Sequence, residues 1–136
     1  MREYLYRGKS IDNKEWIEGH GFVIDNAMAE NNVYVWSDKR FKWYKVVHET
    51  VGQFTGVIDK NGVKIFEGDI LVDALREQDT RKYLVQWDKK CSRFLAVTKP
   101  LEAGPCEGRY LWYVGDELSK NGLIIGNIND DEGLLK

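Results

Sequence analysis

Two carboxylates in the middle of the chain are the first residues whose types and spacing could do chemistry. Glu67 and Asp69 lie two positions apart, so an extended backbone points both side chains to one side. Paired carboxylates can act as general acid and base, or can bind a divalent metal. Alternatively, Gly68 makes a turn and the two acids accept backbone hydrogen bonds around it. Because no histidine lies nearby in the sequence to complete a catalytic set, we favour the structural role.

A second pair of polar side chains, Gln53 and Thr55, has the same alternating spacing and would share one face of a strand. Both side chains can hydrogen-bond a ligand. They can equally bind neighbouring backbone groups in a glycine-rich corner from which water is excluded. We favour the contact with the backbone.

The residues that could form a mixed zinc set are His20, His48, Cys91 and Cys106. They include no Cys-x-x-Cys motif and no closely spaced histidine pair, so we predict no metal site. A nucleophile elbow, a phosphate-binding loop and a dinucleotide fingerprint are also absent from the sequence. The sequence therefore predicts no enzyme and no cofactor, and a small-molecule ligand is not expected.

One segment mixes cations with aromatic residues, running Lys39-Arg-Phe-Lys-Trp-Tyr-Lys45. Bases of single-stranded nucleic acid stack on aromatic rings while cations follow the phosphates, and Lys39, Arg40, Lys42, Trp43 and Lys45 are the candidates for such contacts. In a strand, Phe41, Trp43, Lys45 and Val47 would share one face. The alternative, which we favour, is an edge strand whose aromatic residues point inward and whose lysines discourage aggregation.

Short β-strands must position all of these side chains. Runs of β-branched, aromatic and other apolar residues recur at intervals of about eight to twelve residues, which is typical of a small barrel or sandwich. No apolar period of 3.6 residues persists for three turns. The predicted strands are Tyr4–Arg7, Glu15–Gly19, Phe22–Ile24, Val33–Trp36, Phe41–Val47, Ile70–Val72, Tyr83–Trp87, Phe94–Val97, Arg109–Val114 and Leu123–Ile128. We expect the first two of these strands to form a hairpin, and Tyr83–Trp87 and Phe94–Val97 to form another around the loop at 88–93.

Turn residues separate these strands, most densely between Val51 and Leu71, where four glycines punctuate short apolar pieces. Asp59-Lys-Asn-Gly62 is a strong turn signal, because Asp accepts a hydrogen bond from the backbone two residues on, and Asn and Gly tolerate left-handed conformations. We expect a second turn at Glu67-Gly-Asp69. The crowding of glycines predicts a tightly bent β-structure.

Composition narrows the class of protein. A chain of 136 residues is expected to form one domain, and its net charge of −2 gives no general attraction to nucleic acid or to anionic membranes. The first residues contain no apolar segment of a secretory signal, and no apolar run approaches the length of a membrane helix. We therefore expect a cytoplasmic protein with reduced thiols and no membrane contact.

Together these motifs resemble the YopX family, which is found in phages and integrated prophages. The central signature carries the resemblance most specifically, and matching segments also occur near both ends. The matching residues are Tyr6-Arg-Gly-Lys, Asp12-Asn-Lys-Glu-Trp-Ile17, Val51-Gly-Gln-Phe-Thr-Gly56, Asp59-Lys-Asn-Gly62, Ile65-Phe-Glu-Gly-Asp-Ile70, Val85-Gln-Trp-Asp88 with Phe94, and Ile124-Ile-Gly-Asn-Ile128.

The resemblance implies an all-β fold with an SH3-like barrel as its main body, and it implies no particular activity. We therefore predict one YopX-like domain over residues 1–136. It would consist of an N-terminal β extension (1–47), the barrel (51–128) and a tail (129–136). The family-motif residues expected to be structural are Gln53, Thr55, Gly56, Asp59, Gly62, Glu67, Gly68 and Asp69. The predicted core is Phe54, Ile65, Ile70, Val72, Val85, Trp87, Phe94, Trp112, Ile125 and Ile128.

Three functional hypotheses follow. The first is a non-enzymatic binding or assembly module of phage origin, in the bacterial host, whose partner is a protein or a second copy of the chain. The second is nucleic-acid binding through residues 39–45. The third is a hydrolase that uses Glu67 and Asp69.

Overall fold

A computed structural model of the chain describes residues 3–26, 32–74, 81–89, 92–97, 111–113 and 121–135, with the backbone alone at 111–113, 132 and 135. The described residues are mostly β-strand, with two short 3₁₀ turns and no α-helix among their elements. No helix in this part of the chain is long and apolar enough to span a membrane. The all-β prediction is confirmed.

The chain divides into two compact units, Met1–Phe54 and Thr55–Lys136, and the division falls inside strand β6. The first unit holds β1 (Tyr6–Lys9), β2 (Trp16–Gly19), β3 (Phe22–Asp25), β4 (Asn32–Ser37), β5 (Lys42–Val46), a 3₁₀ turn (His48–Thr50) and the start of β6 (Gly52–Ile58). The second unit holds the rest of β6, β7 (Lys64–Phe66), β8 (Asp69–Asp73), β9 (Tyr83–Asp88), β10 (Arg93–Val97), β11 (Leu111–Tyr113), β12 (Gly122–Asn127) and a 3₁₀ turn (Glu132–Leu135).

The first unit contains an antiparallel hairpin of β1 and β2, which confirms the hairpin predicted for the opening segment. The start of β6 adds to the other side of β1, where Arg7 lies opposite Gly52. Strands β3, β4 and β5 form a separate antiparallel sheet with β4 in the centre.

The core of the first unit lies on one side of β4. Val33 and Val35 are buried there, while Tyr34 and Trp36 alternate with them and point to the opposite side. Each fully buried aliphatic side chain contributes roughly 1.5–3 kcal/mol to stability. This cluster consists of Ile17, Val33, Val35 and Val46, with Tyr44 and Val51 packed against it. The aromatic residues of β4 are therefore left outside the core.

The second unit is built on an antiparallel sheet of five strands in the order β11-β10-β9-β8-β12. The hairpin predicted around the loop at 88–93 is confirmed, with Trp87 opposite Phe94 and Val97 opposite Leu84. Curling of the sheet into a half-barrel agrees with the predicted SH3-like small barrel.

Both faces of this sheet are covered by apolar side chains, because neighbouring residues in β8, β9 and β10 are buried on opposite sides. Continuous apolar runs such as Leu95-Ala-Val97 are typical of strands that are buried on both faces. One cluster consists of Ile65, Leu71, Tyr83, Val85 and Ala96, and the other of Ile70, Leu84, Leu95 and Val97.

The predicted core residues fall into three groups. Phe54, Ile65, Ile70 and Val85 are buried as predicted; Val72, Phe94 and Ile128 are half-buried; and the side chain of Trp112 lies outside the described residues.

The prediction is wrong for Ile125 and Trp87, which are exposed. Ile125 lies at a β-bulge, where the register of β12 on β8 shifts between Ile124 and Gly126, so it loses its place on the inner face. Trp87 lies near the end of β9 and packs edge-to-face on Phe94, with ring centroids 4.9 Å apart.

Candidate binding face

The carboxylate pair lies at a tight turn between β7 and β8. Asp69 is buried, and its Oδ2 accepts a hydrogen bond from the backbone N–H of Phe66 at 2.8 Å. Gly68 makes the turn with φ of 93°, a conformation that a side chain disfavours. Glu67 is half-buried in the same turn. The carboxylate of Asp69 therefore accepts a hydrogen bond from the main chain of this turn.

A second buried acid, Asp59, organises the turn between β6 and β7. Its Oδ1 accepts hydrogen bonds from the backbone N–H groups of Asn61 and Val63, both at 2.9 Å. Its Oδ2 accepts a further bond from the N–H of Ile124 at 3.2 Å. Gly62 has φ of 81°, as the turn signal predicts. The bond to Ile124 could not be predicted, because that residue is distant in the sequence.

Thr55 also serves the main chain. Its hydroxyl donates to the carbonyl oxygen of Ile65 at 2.8 Å and accepts from the N–H of Val57 at 3.2 Å. Gln53 is half-buried and lies opposite Tyr6 in the ladder between β1 and β6. Gly56 has a positive φ of 87° within β6. The geometry of Thr55 is that of a structural residue.

The residues considered for a zinc set are not brought together by anything the structure describes. His20 lies in the β2–β3 turn and His48 begins a 3₁₀ turn, while Cys91 and Cys106 lie outside the described residues. Within the described ranges, no group of three or more His, Cys, Asp or Glu side chains could hold a metal ion.

His20 has carboxylate partners on both ring nitrogens. Its Nδ1 bonds to Asp38 Oδ2, and its Nε2 lies 3.2 Å from Glu3 Oε1. The hydrogen bond that the ring shares with the Asp38 carboxylate is the main cause of a raised pKa of His20; burial acts in the opposite direction, and the charges of Asp38 and Glu3 raise the pKa further. Because this cluster is exposed and contains no nucleophile, we interpret it as a link between the N-terminal segment and the β4–β5 turn.

The basic and aromatic segment is divided between the two faces of β5. Trp43 and Lys45 lie opposite Trp36 and Tyr34, on the face directed away from the core. Lys42 and Tyr44 lie on the other face, and the Nζ of Lys42 is 4.7 Å from the ring centroid of Tyr44. The cations predicted to follow a nucleic acid therefore do not line one surface.

Arg40 belongs to the same group as Tyr44. Its guanidinium lies 5.6 Å from the centre of the Tyr44 ring and bonds the Tyr44 hydroxyl at 3.4 Å, which lowers the pKa of Tyr44. It also pairs with Glu15 at 3.0 Å. Lys39 lies exposed in the turn before β5. Arg40 is thus bound by two side chains of the first unit, Glu15 and Tyr44.

The outward face of the sheet β3-β4-β5 carries a cluster of aromatic rings. Trp36 packs edge-to-face on Trp43, with ring centroids 5.4 Å apart, and on Phe41 at 6.5 Å. Trp43 is 46% exposed and Phe41 is 79% exposed. The expectation that the aromatic residues of this edge strand point inward is therefore wrong for Trp43.

Gly21, just before β3, allows Trp43 to lie close to the backbone. A Cβ at this position would be 3.2 Å from Trp43 Cη2 and 3.3 Å from Trp36 Cβ. The N–H of Trp36 also donates to the carbonyl oxygen of Gly21 at 2.8 Å. The two tryptophans are thus placed by contacts with the start of β3.

Beside these rings lies an open groove of about 470 Å³, lined by Val23, Ile24, Asp25, Tyr34 and Trp43. We call the groove together with Trp36 and Phe41 the aromatic face. Its lining is mainly apolar, with one carboxylate, so it suits apolar and aromatic groups of a ligand. Sequence reasoning identified Trp43 and missed Tyr34 and Trp36. The signal that could have identified them is their alternation with Val33 and Val35, which places Tyr34 and Trp36 together on one face of β4.

A family model described as YopX protein matches residues 5–136. A comparison with curated proteins finds no match. Among solved structures, the chain is similar to the "Crystal structure of protein EF1440 from Enterococcus faecalis", with 22% sequence identity and a TM-score of 0.54, over 98% of this chain and 98% of that chain. At this identity the likeness shows the fold alone.

Proposed function

The chain belongs to the YopX family. We propose that it is a non-enzymatic binding module of phage or prophage origin, whose aromatic face takes a protein partner in the cytoplasm of a bacterial host. One observation carries the proposal: Trp36, Phe41 and Trp43 share one exposed sheet face beside an apolar groove. Contiguous exposed apolar patches mark interaction sites, and aromatic residues dominate the binding energy of interfaces.

The acidic residues support a non-enzymatic role. The carboxylate oxygens of Asp59 and Asp69 accept hydrogen bonds from backbone N–H groups at turns. Neither residue lines the groove beside the aromatic face. A hydrolase based on Glu67 and Asp69 would need a carboxylate that faces a substrate, so we do not carry that hypothesis further.

Charge distribution favours a protein over a nucleic acid. Asp25 lines the groove, and its carboxylate would repel the phosphates of a nucleic acid. Arg40 already forms an ion pair with Glu15 and a hydrogen bond with Tyr44. Of the cations on β5, the register places only Lys45 on the aromatic face. Stacking of bases needs rings with cations beside them on one surface. Nucleic-acid binding remains the second candidate, supported by the position of Lys45 beside Trp43.

The test is phage display: peptides that bind the full-length chain are selected from a random peptide library. We expect enriched peptides rich in apolar and aromatic residues. Their affinity for Trp43→Ala should fall about thirtyfold or more, since a central aromatic residue of an interface contributes about 2 kcal/mol or more. Trp87→Ala is the matched control, because Trp87 is also an exposed tryptophan but lies in the other unit. Its affinity should equal that of the wild type.

Two results would contradict the proposal. One is a set of peptides that binds wild type and Trp43→Ala equally well. The other is binding of a labelled oligothymidylate at low salt that is lost in both Trp43→Ala and Lys45→Glu, which would favour nucleic acid instead.

A further inference from the structure

Strand β3 is the outer strand of the sheet β3-β4-β5, and among the described residues no strand pairs with its outer edge. All four of its residues are exposed, and three of them, Phe22, Val23 and Ile24, are apolar. Val23 is 45% exposed and Ile24 is 48% exposed. Exposed apolar edge strands are templates for pairing with another chain.

The hydrogen bonds of β3 show which backbone groups point outward. The N–H of Trp36 donates to the carbonyl of Gly21, so this antiparallel pair is a hydrogen-bonded one. Because such pairs alternate along the ladder, Val23 also directs its backbone groups to β4, while Phe22 and Ile24 direct theirs to the outer edge. In the described part of the chain, no hydrogen bond satisfies these outward groups of Phe22 and Ile24.

The opposite edge of the sheet is protected. Ser10 bridges to Val46, the N–H of Ile11 donates to the carbonyl of Lys45 at 3.1 Å, and Val47 donates to Lys9 at 2.8 Å. Lysine side chains on β5 add charge along this edge. The three consecutive apolar residues of β3 carry neither kind of protection.

We propose that β3 is a dimerisation edge, at which two copies of the chain pair through antiparallel β3 strands. The register that uses all outward groups places Phe22 opposite Ile24 of the second copy, and the two-fold axis then passes beside Val23. Each outward N–H and C=O of these residues meets a complementary group. The same register places Asp25 opposite Gly21, so the carboxylates of the two copies do not face each other.

The proposed dimer edge borders the aromatic face, because Val23 and Ile24 also line its groove. Residues directly opposite in an antiparallel pair point to the same side, so the two three-stranded sheets join into one continuous sheet with both aromatic faces on one side. A partner with two contact sites would bind such a dimer with avidity. Because each copy contributes only one short strand, we expect a reversible dimer whose population rises with concentration.

Charge pairing at position 23 tests the proposal. Sedimentation velocity of the full chain should show a monomer–dimer equilibrium that Val23→Lys and Val23→Glu each abolish, because identical charges then face each other at the axis. An equimolar mixture of the two variants should restore dimers. Val63→Lys, at an exposed apolar position in the second unit, is the control and should dimerise as the wild type does.

A backbone variant examines the same edge without adding charge. Ile24→Pro removes an outward N–H while leaving the ladder to β4 intact, so the circular dichroism spectrum should be unchanged and the dimer lost. The proposal is overturned if the wild type is monomeric at every concentration. It is also overturned if either charged variant dimerises alone, if their mixture stays monomeric, or if folded Ile24→Pro dimerises normally. Failure of these tests leaves the peptide-binding result at Trp43 unaffected, so the two proposals are separable.

Discussion

Asp59 and Ile124 lie 65 positions apart in the chain, yet the carboxylate of Asp59 accepts a hydrogen bond from the backbone N–H of Ile124. The other oxygen of the same carboxylate closes the turn at Asn61 and Val63. One buried acid therefore stabilises a local turn and holds that turn against β12. The nearby bond from the N–H of Lys60 to the carbonyl of Gly122 strengthens the same attachment.

Replacing Asp59 should be among the most destabilising polar substitutions in the second unit. Asp59→Ala should lower the free energy of unfolding by about 3 kcal/mol, because it leaves three part-buried N–H groups without their acceptor. Asp59→Asn keeps one carbonyl oxygen for the turn and should cost about 1 kcal/mol. Urea denaturation measures both values. Asp12→Ala, in an exposed turn, is the control with no expected effect; equal costs at positions 12 and 59 would contradict the assignment.

Gly62 and Gly133 form a matched pair for the cost of a left-handed backbone. A Cβ at either position would meet nothing within 4 Å, but only Gly62 has a positive φ, of 81°. We expect Gly62→Ala to lower the free energy of unfolding by about 1 kcal/mol and Gly133→Ala to leave it unchanged. Gly62→Asn should cost less than alanine, since asparagine tolerates this region. Equal stability of the two alanine variants in urea would show that φ at Gly62 is not a constraint.

Gly19 is required by a close approach within the first unit. A Cβ there would lie 1.8 Å from the carbonyl oxygen of Trp36, a backbone atom that cannot rotate away. Gly19→Ala should therefore force β2 away from β4 and cost about 3 kcal/mol. Thermal unfolding followed by tryptophan fluorescence measures the loss. A variant as stable as the wild type would mean that β2 and β4 do not pack as closely as described.

The His20 cluster should make stability depend on pH. Asp38 and Glu3 raise the pKa of His20 above its ordinary value of 6.5 in the folded protein, so the charged imidazole stabilises the fold. This contribution is fully present below pH 6.5 and is lost as the pH rises through the raised pKa. Because the His20 side chain is exposed, we expect a change of less than about 1 kcal/mol.

Two measurements check the His20 prediction. Urea unfolding on both sides of the transition should show a pH-dependent difference between the wild type and His20→Gln. A proton NMR titration should give a His20 pKa that falls towards 6.5 in Asp38→Asn. An identical pKa in that variant would refute the role of Asp38.

Local patterns account for the parts of the fold that sequence analysis predicted. The turn at Asp59–Gly62 and the hairpin at Tyr83–Val97 follow from side chains and dihedral preferences within a few residues. The bulge that exposes Ile125 could not be predicted, because it arises from the register of β12 on β8. Likewise, the exposure of Trp87 could not be predicted, because Val85, which shares its side of β9, is fully buried.

The candidate surface shows the same limit. The sequence predicted that Trp43 and Lys45 share one side of a strand, and the register of β5 on β4 confirms this. The sequence could not show which side of β5 is exposed, because Lys42-Trp-Tyr-Lys45 places one aromatic residue and one lysine on each face.

The amino-acid sequence by itself determined the β-strands, their turns and the family, because these depend on short-range preferences and on an ordered motif. Only the tertiary structure decided that Trp36, Phe41 and Trp43 meet on an exposed face and that β3 leaves an apolar edge. Burial and edge pairing depend on which strands become neighbours, and those neighbours are brought together by packing across the chain.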